Sequence, residues 1–147
     1  MSESSGIILC VLALAPNART QQSDQQVAKA FERTCSACHD SSTALSGRHT
    51  RGEWQSVVDD MASRGAEGTP AELREVISWL VRHYGNIRIN ALSARDLQQE
   101  MELTASEAAA IVAYRTKNGP FVNFDAVKKT TGVDPSRLEP YKDSIVF

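Results

Sequence analysis

The sequence predicts an all-α protein made of two small helical modules, and three observations carry that expectation. No segment sustains the period-two alternation of a half-buried strand. Apolar residues instead recur at i, i+3, i+4 and i+7 in successive stretches, and helix-start signals recur along the chain, ending with Thr104 and Glu107 three residues apart. The 147 residues are 41% hydrophobic and 23% charged, an ordinary globular make-up. A net charge of -2 gives whole-molecule electrostatics no strong pull toward nucleic acid or anionic lipid.

The chain opens on an apolar run from Ile7 to Ala15 that contains Cys10. It has the length of a signal-peptide core and is too short to cross a bilayer as a helix, so residues 1–20 are expected to be an export signal, one whose leading segment lacks the usual positive charge. Gln21 to Gln26 is polar and reads as a linker, with mature structure starting near Ser23. Asp24 is placed to cap a first helix carrying Val27, Ala30, Phe31 and Thr34, which delivers the chain to Cys35. Asp40 to Arg51 has no hydrophobic period and reads as a loop. Glu53 to Arg64 forms a second helix with Trp54, Val57, Val58 and Met61 on one face and Gly65 to end it. Thr69-Pro70-Ala71-Glu72 combines an N-cap, a proline at the first helical position and a capping-box glutamate. The helix it starts carries Leu73, Val76, Ile77, Leu80 and Tyr84, with Gly85 as a left-handed C-cap. New caps then follow at Ser93 with Asp96 and at Thr104 with Glu107. The segment Ala105 to Lys117 stops at Asn118-Gly119-Pro120, and two short helices are expected in 123–129 and 135–143. The division is 23–85 for the first module and 86–147 for the second.

Chemistry concentrates in Cys35-Ser-Ala-Cys38-His39. Two thiols at this spacing can form thioethers to the two vinyl groups of one porphyrin while the adjacent imidazole reaches the iron. A thioredoxin-like pair would need a βαβ pattern and a zinc site a second ligand pair, and neither is seen. The expected cofactor is one covalent haem c with its iron. Because haem is attached to cysteine outside the cytoplasm, the protein is expected to be periplasmic or otherwise extracytoplasmic, with no membrane span in its mature form.

The leading helix, the motif and the aromatic-bearing closing helix of residues 26–85 resemble a small class I cytochrome c, with Phe31 and Tyr84 as the packing pair. Arg51-x-x-Trp54-x-x-Val57-Val58-x-x-Met61-x-x-x-Gly65-Ala66 resembles the short haem domains associated with quinohaemoprotein amine dehydrogenases. The resemblance implies His39 as the proximal ligand and haem packing by Trp54, Val57, Val58 and Tyr84. The sixth position is open to Met61, His49, His83, Met101 or water; Met61 is preferred and His49 is the second choice. With His/Met ligation the protein carries single electrons to or from a redox partner protein, a dehydrogenase or terminal reductase, and is not an enzyme. An open sixth site would make it a haem enzyme or sensor.

The second module reads Ile89-Asn90, Ser93, Leu97, then Glu107-Ala108-x-x-Ile111-Val112-x-Tyr114-Arg115, then Gly119-Pro120-Phe121, Val127 and Gly132-Val133. It resembles a tandem helix-hairpin-helix domain of the kind found in competence DNA receptors and in an extrinsic subunit of photosystem II. Such hairpins bind phosphate through backbone amides in a Gly-hydrophobic-Gly turn. Here the first hairpin is Glu102-Leu103-Thr104 and the second is Gly132-Val133-Asp134, and residues 86–147 balance eight basic against eight acidic side chains. Docking to protein is therefore preferred to DNA binding, with Gly132, Lys128, Lys129 and Arg137 as the candidate phosphate contacts.

Overall fold

A computed structural model describes residues 18–36, 40–42 and 44–147. The Ile7 to Ala15 run with Cys10, and the motif residues Cys38 and His39, lie outside the described residues. Seven α-helices are described: α1 (Ala18–Cys35), α2 (Arg51–Ser63), α3 (Pro70–Tyr84), α4 (Ala94–Met101), α5 (Ala105–Asn118), α6 (Phe124–Lys128) and α7 (Pro135–Leu138). Two short 3-10 turns, Ala44–Ser46 and Glu139–Tyr141, complete the helical elements. The all-helical expectation holds, with one addition: β1 (Ile87–Arg88) pairs in parallel with β2 (Ile145–Val146).

The capping signals position the helices as read. Thr69 and Glu72, Ser93 and Asp96, and Thr104 and Glu107 each form reciprocal capping boxes. Thr50 and Glu53 form another, so α2 starts at Arg51 and not at Glu53. The N-terminal helix differs more. Gln21 to Gln26 lies inside α1, and Asp24, within the helix and not at its start, pairs with Arg82 at 2.9 Å and does not cap it. This polar sequence is helical, and an ion pair ties it to α3.

Gly85 is a correction too. Its φ of -76° is extended, not left-handed. Glycine is required there by close approach: a Cβ would stand 2.2 Å from the Val81 carbonyl oxygen and 3.0 Å from Ser144 Cβ. Among the described residues the left-handed positions are Gly65, Gly119, Gly132 and the non-glycine Glu102, whose φ is 52°.

α3 is the central element. α1 runs antiparallel to it, with Phe31 tilted onto Trp79 at 5.2 Å, Asp24 beside its C-terminal end and Arg33 on Glu72 at its start. α2 packs on α3 as well. Val76, Ile77, Leu80 and Val81 of α3 are buried in a core that continues without interruption through Ile87, Leu97, Ile111, Val127 and Leu138 to Ile145.

Candidate functional site

Cys35 is the last residue of α1 and is half-buried. Its surroundings are set by the turn that links α2 to α3. Thr34 Oγ1 donates to the Glu67 carbonyl at 2.9 Å, and the Ala66 N–H donates to the Met61 carbonyl at 3.0 Å. The C-terminal ends of α1 and α2 and the start of α3 thus converge at one end of the molecule. Cys35 and half-buried Met61 are brought to that same end, with half-buried Val57 one turn back along α2.

The thiol of Cys35 is governed by its burial and by its place at the end of the helix. Burial pushes its thiol up from the ordinary value. Redox-active thiols of Cys-x-x-Cys pairs are lowered, commonly by a helix N-terminus, whereas Cys35 stands at a helix C-terminus whose dipole disfavours a thiolate.

The other candidates are placed elsewhere. The His49 N–H donates to the Tyr84 carbonyl at 3.1 Å, and its ring meets Trp54 edge-on at 4.6 Å. That is the C-terminal end of α3, roughly 20 Å along the helix from its start. His83 is at the same far end, exposed, with Nε2 3.6 Å from Asp24. Met101 is wholly buried at the end of α4. Of the expected packing residues, Val58 and Trp54 are buried in the core, and the Trp54 indole N–H donates to the Tyr84 carbonyl at 3.2 Å. Phe31 and Tyr84 do not pair directly: Trp79 stands between them, 5.2 Å from one and 5.8 Å from the other. Trp79 was absent from the apolar stripe read in the sequence, because it sits beside that stripe and not on it.

In the second half, α4 and α5 flank the hairpin 102–104, and α6 and α7 flank the hairpin 132–134. The two are related position by position. Glu102 and Gly132 are left-handed, Leu103 and Val133 are buried, and Thr104 and Asp134 are N-caps. Buried Glu107 joins them. Its carboxylate accepts from the Thr104 N–H at 2.9 Å and the Asp134 N–H at 3.3 Å, and stands 3.4 Å from Arg137 Nε. Burial pushes this carboxyl up, but its bonds to Thr104 and Asp134 and the charge of Arg137 outweigh that and hold it low. Two hairpin amides that could face a phosphate are therefore satisfied by a carboxylate of the same chain.

Two of the basic candidates are similarly engaged. Arg137 also donates to the Glu102 carbonyl, and Lys128 lies 3.3 Å from Asp125 and 5.1 Å from the centre of the Phe124 ring. Lys129 is exposed, and Gly132 is open to solvent at the tip of its hairpin.

Residues 83–146 match the family described as helix-hairpin-helix motif. No cytochrome c family is matched. A protein of Haemophilus influenzae described only as uncharacterized is 30% identical over 114 residues, which cover 77% of this chain and 91% of that protein. That alignment is longer than the segment 83–146, so the likeness extends into the half that holds Cys35. No solved structure matches.

Proposed function

We propose, on the Cys35-Ser-Ala-Cys38-His39 motif of its sequence, that this chain, which belongs to the family of the Haemophilus influenzae protein, is an exported monohaem c protein that carries single electrons, with the helix-hairpin-helix half as its docking and supporting module. The observation that carries this reading is the delivery of Cys35, at the end of α1, to the same end of the molecule as Met61. Haem c, when bound, supplies a one-electron iron couple. Cys35 and Cys38 would hold it through thioethers, and His39 and Met61 would supply the iron's protein ligands. His49 and His83 stand at the far end of α3, which favours Met61 over either. A thioether ligand favours ferrous iron and leaves no open position, in keeping with a carrier and not an enzyme.

The test is full-length protein expressed with the haem-attachment machinery and run on a denaturing gel. Haem is expected to stay with the chain, and to leave it in the C35S/C38S variant. A wild-type chain without covalent haem overturns the reading. Ferrous wild type is expected to exclude carbon monoxide and Met61→Ala to bind it; immediate binding by wild type would assign the open-site alternative.

A second reading, a cytochrome tethered to DNA, is favoured by the motif itself and by Gly132 in its left-handed turn. Glu107 on the hairpin amides weighs against it. Gel shift of a DNA duplex over a series of salt concentrations decides: phosphate contacts give binding at low salt that weakens steeply as salt rises.

A further inference from the structure

We infer that the first hairpin serves as a clasp on the N-terminal half, and that Glu102 is the positioning residue that holds the capped start of α2 against it. A non-glycine residue in the left-handed region is strained, and the matching position of the second hairpin is Gly132. Glu102 puts a carboxylate there that glycine lacks. It accepts from Arg51 Nη2 at 2.8 Å and from Ser78 Oγ at 2.6 Å, tying the hairpin to α2 and α3 together.

Arg51 completes the clasp. Its guanidinium also reaches Ser78 Oγ at 3.2 Å and the Glu100 carbonyl at 3.4 Å. Its backbone N–H, the first of α2, donates to both oxygens of the buried Glu100 carboxylate, at 2.8 and 3.1 Å. Arg137 of α7 holds the Glu102 carbonyl from the other side. The first hairpin, where helix-hairpin-helix domains that bind DNA present amides to phosphate, is tied here through the Glu102 carboxylate to the chain's own second and third helices, while Glu102 and Thr104 stay exposed. Its partner is this protein.

A helix is stiff, so fixing its first residue fixes the side chains along it. Met61 is about three turns from Arg51 on α2. The clasp therefore sets the placement of the sixth ligand; this last step rests on the haem reading, while the clasp does not.

Glu102→Gly and Glu102→Gln in the full chain test it. Glycine removes the carboxylate and relieves the backbone, so a purely structural view of this position expects a variant at least as well ordered as wild type. The clasp predicts the reverse: amides from Arg51 to Val58 exchange about tenfold faster in Glu102→Gly, the ratio that loss of a charged hydrogen bond gives. Glu102→Gln, whose amide oxygen still accepts from both donors, stays closer to wild type. Exchange in Glu102→Gly as slow as wild type overturns the proposal. In haem-loaded protein, Glu102→Gly is expected to take up carbon monoxide in a larger fraction than wild type, and an equal fraction would remove the link to Met61. A wild type without haem defeats the proposed function, whereas amide exchange still decides the clasp.

Discussion

Ser144 has its hydroxyl against the backbone at the C-terminal end of α3. The oxygen accepts from the Gly85 N–H at 3.0 Å and the hydroxyl donates to the Arg82 carbonyl at 2.8 Å, with the side chain wholly buried. Ser144→Ala would leave the Gly85 N–H without that partner, an expected loss of about 1–3 kcal/mol. Gly85→Ala acts on the same contact from the other side. A methyl group would overlap the Val81 carbonyl, so the helix end must shift, and a loss of roughly 1–3 kcal/mol is expected. Urea titration of both variants checks these values, and an unchanged midpoint in Gly85→Ala would mean that the turn yields freely. Glu107 is the third such residue. Glu107→Ala frees the Thr104 and Asp134 amides at once, with an expected loss of about 2 kcal/mol.

At the scale of elements, helix starts should respond to their caps individually. Thr69→Ala removes the acceptor for the Glu72 N–H and is expected to destabilise by about 1 kcal/mol, read as a lower urea midpoint with unchanged slope. Capping is also what made the fold legible in the sequence. The helices from Pro70, Ala94 and Ala105 were placed to the residue because a capping box is a local pattern and the boxes form as written. The start of α1 was not legible, since its polar first turns are held by Asp24 against Arg82 and His83, residues far along the chain. The same holds for the pairing of Ile87 with Ile145 and for Arg51 on Glu102: each joins short segments with no periodicity of their own. Of the candidate site, Cys35 and Met61 could be read singly. That they share one end of the molecule depends on Thr34 and Glu67, which carry no motif.

The molecule as a whole is expected to unfold as one unit. Its buried side chains form a continuous core from Phe31 to Ile145, so tryptophan fluorescence, which reports Trp54 and Trp79 in the first half, and far-ultraviolet dichroism should give coincident urea transitions. Two separated transitions would show halves that fold apart. Acid should weaken the whole. The Thr50 and Thr69 backbone N–H groups hold the carboxyls of Glu53 and Glu72 below their ordinary value. Burial pushes Glu102 and Glu107 up, but their hydrogen bonds and neighbouring arginines outweigh it and leave both low. Groups lowered in the folded state stabilise it fully above about 4.5 and lose that contribution as pH falls through their folded values. Glu100 has the opposite sign, because burial raises it and its ionisation weakens the fold as pH rises. With more carboxyls lowered than raised, the urea midpoint is expected to fall between about pH 5 and about pH 3. A flat profile would mean that these bonds persist in the unfolded chain.

The parallel pairing of Ile87-Arg88 with Ile145-Val146 bears on the order of events during synthesis. Ser144 and Ile145 seal the junction around Gly85, so a growing chain that has not yet reached them leaves the C-terminal end of α3 uncovered and the core unclosed. Until those residues emerge, the segment around Cys35 belongs to an incompletely folded polypeptide.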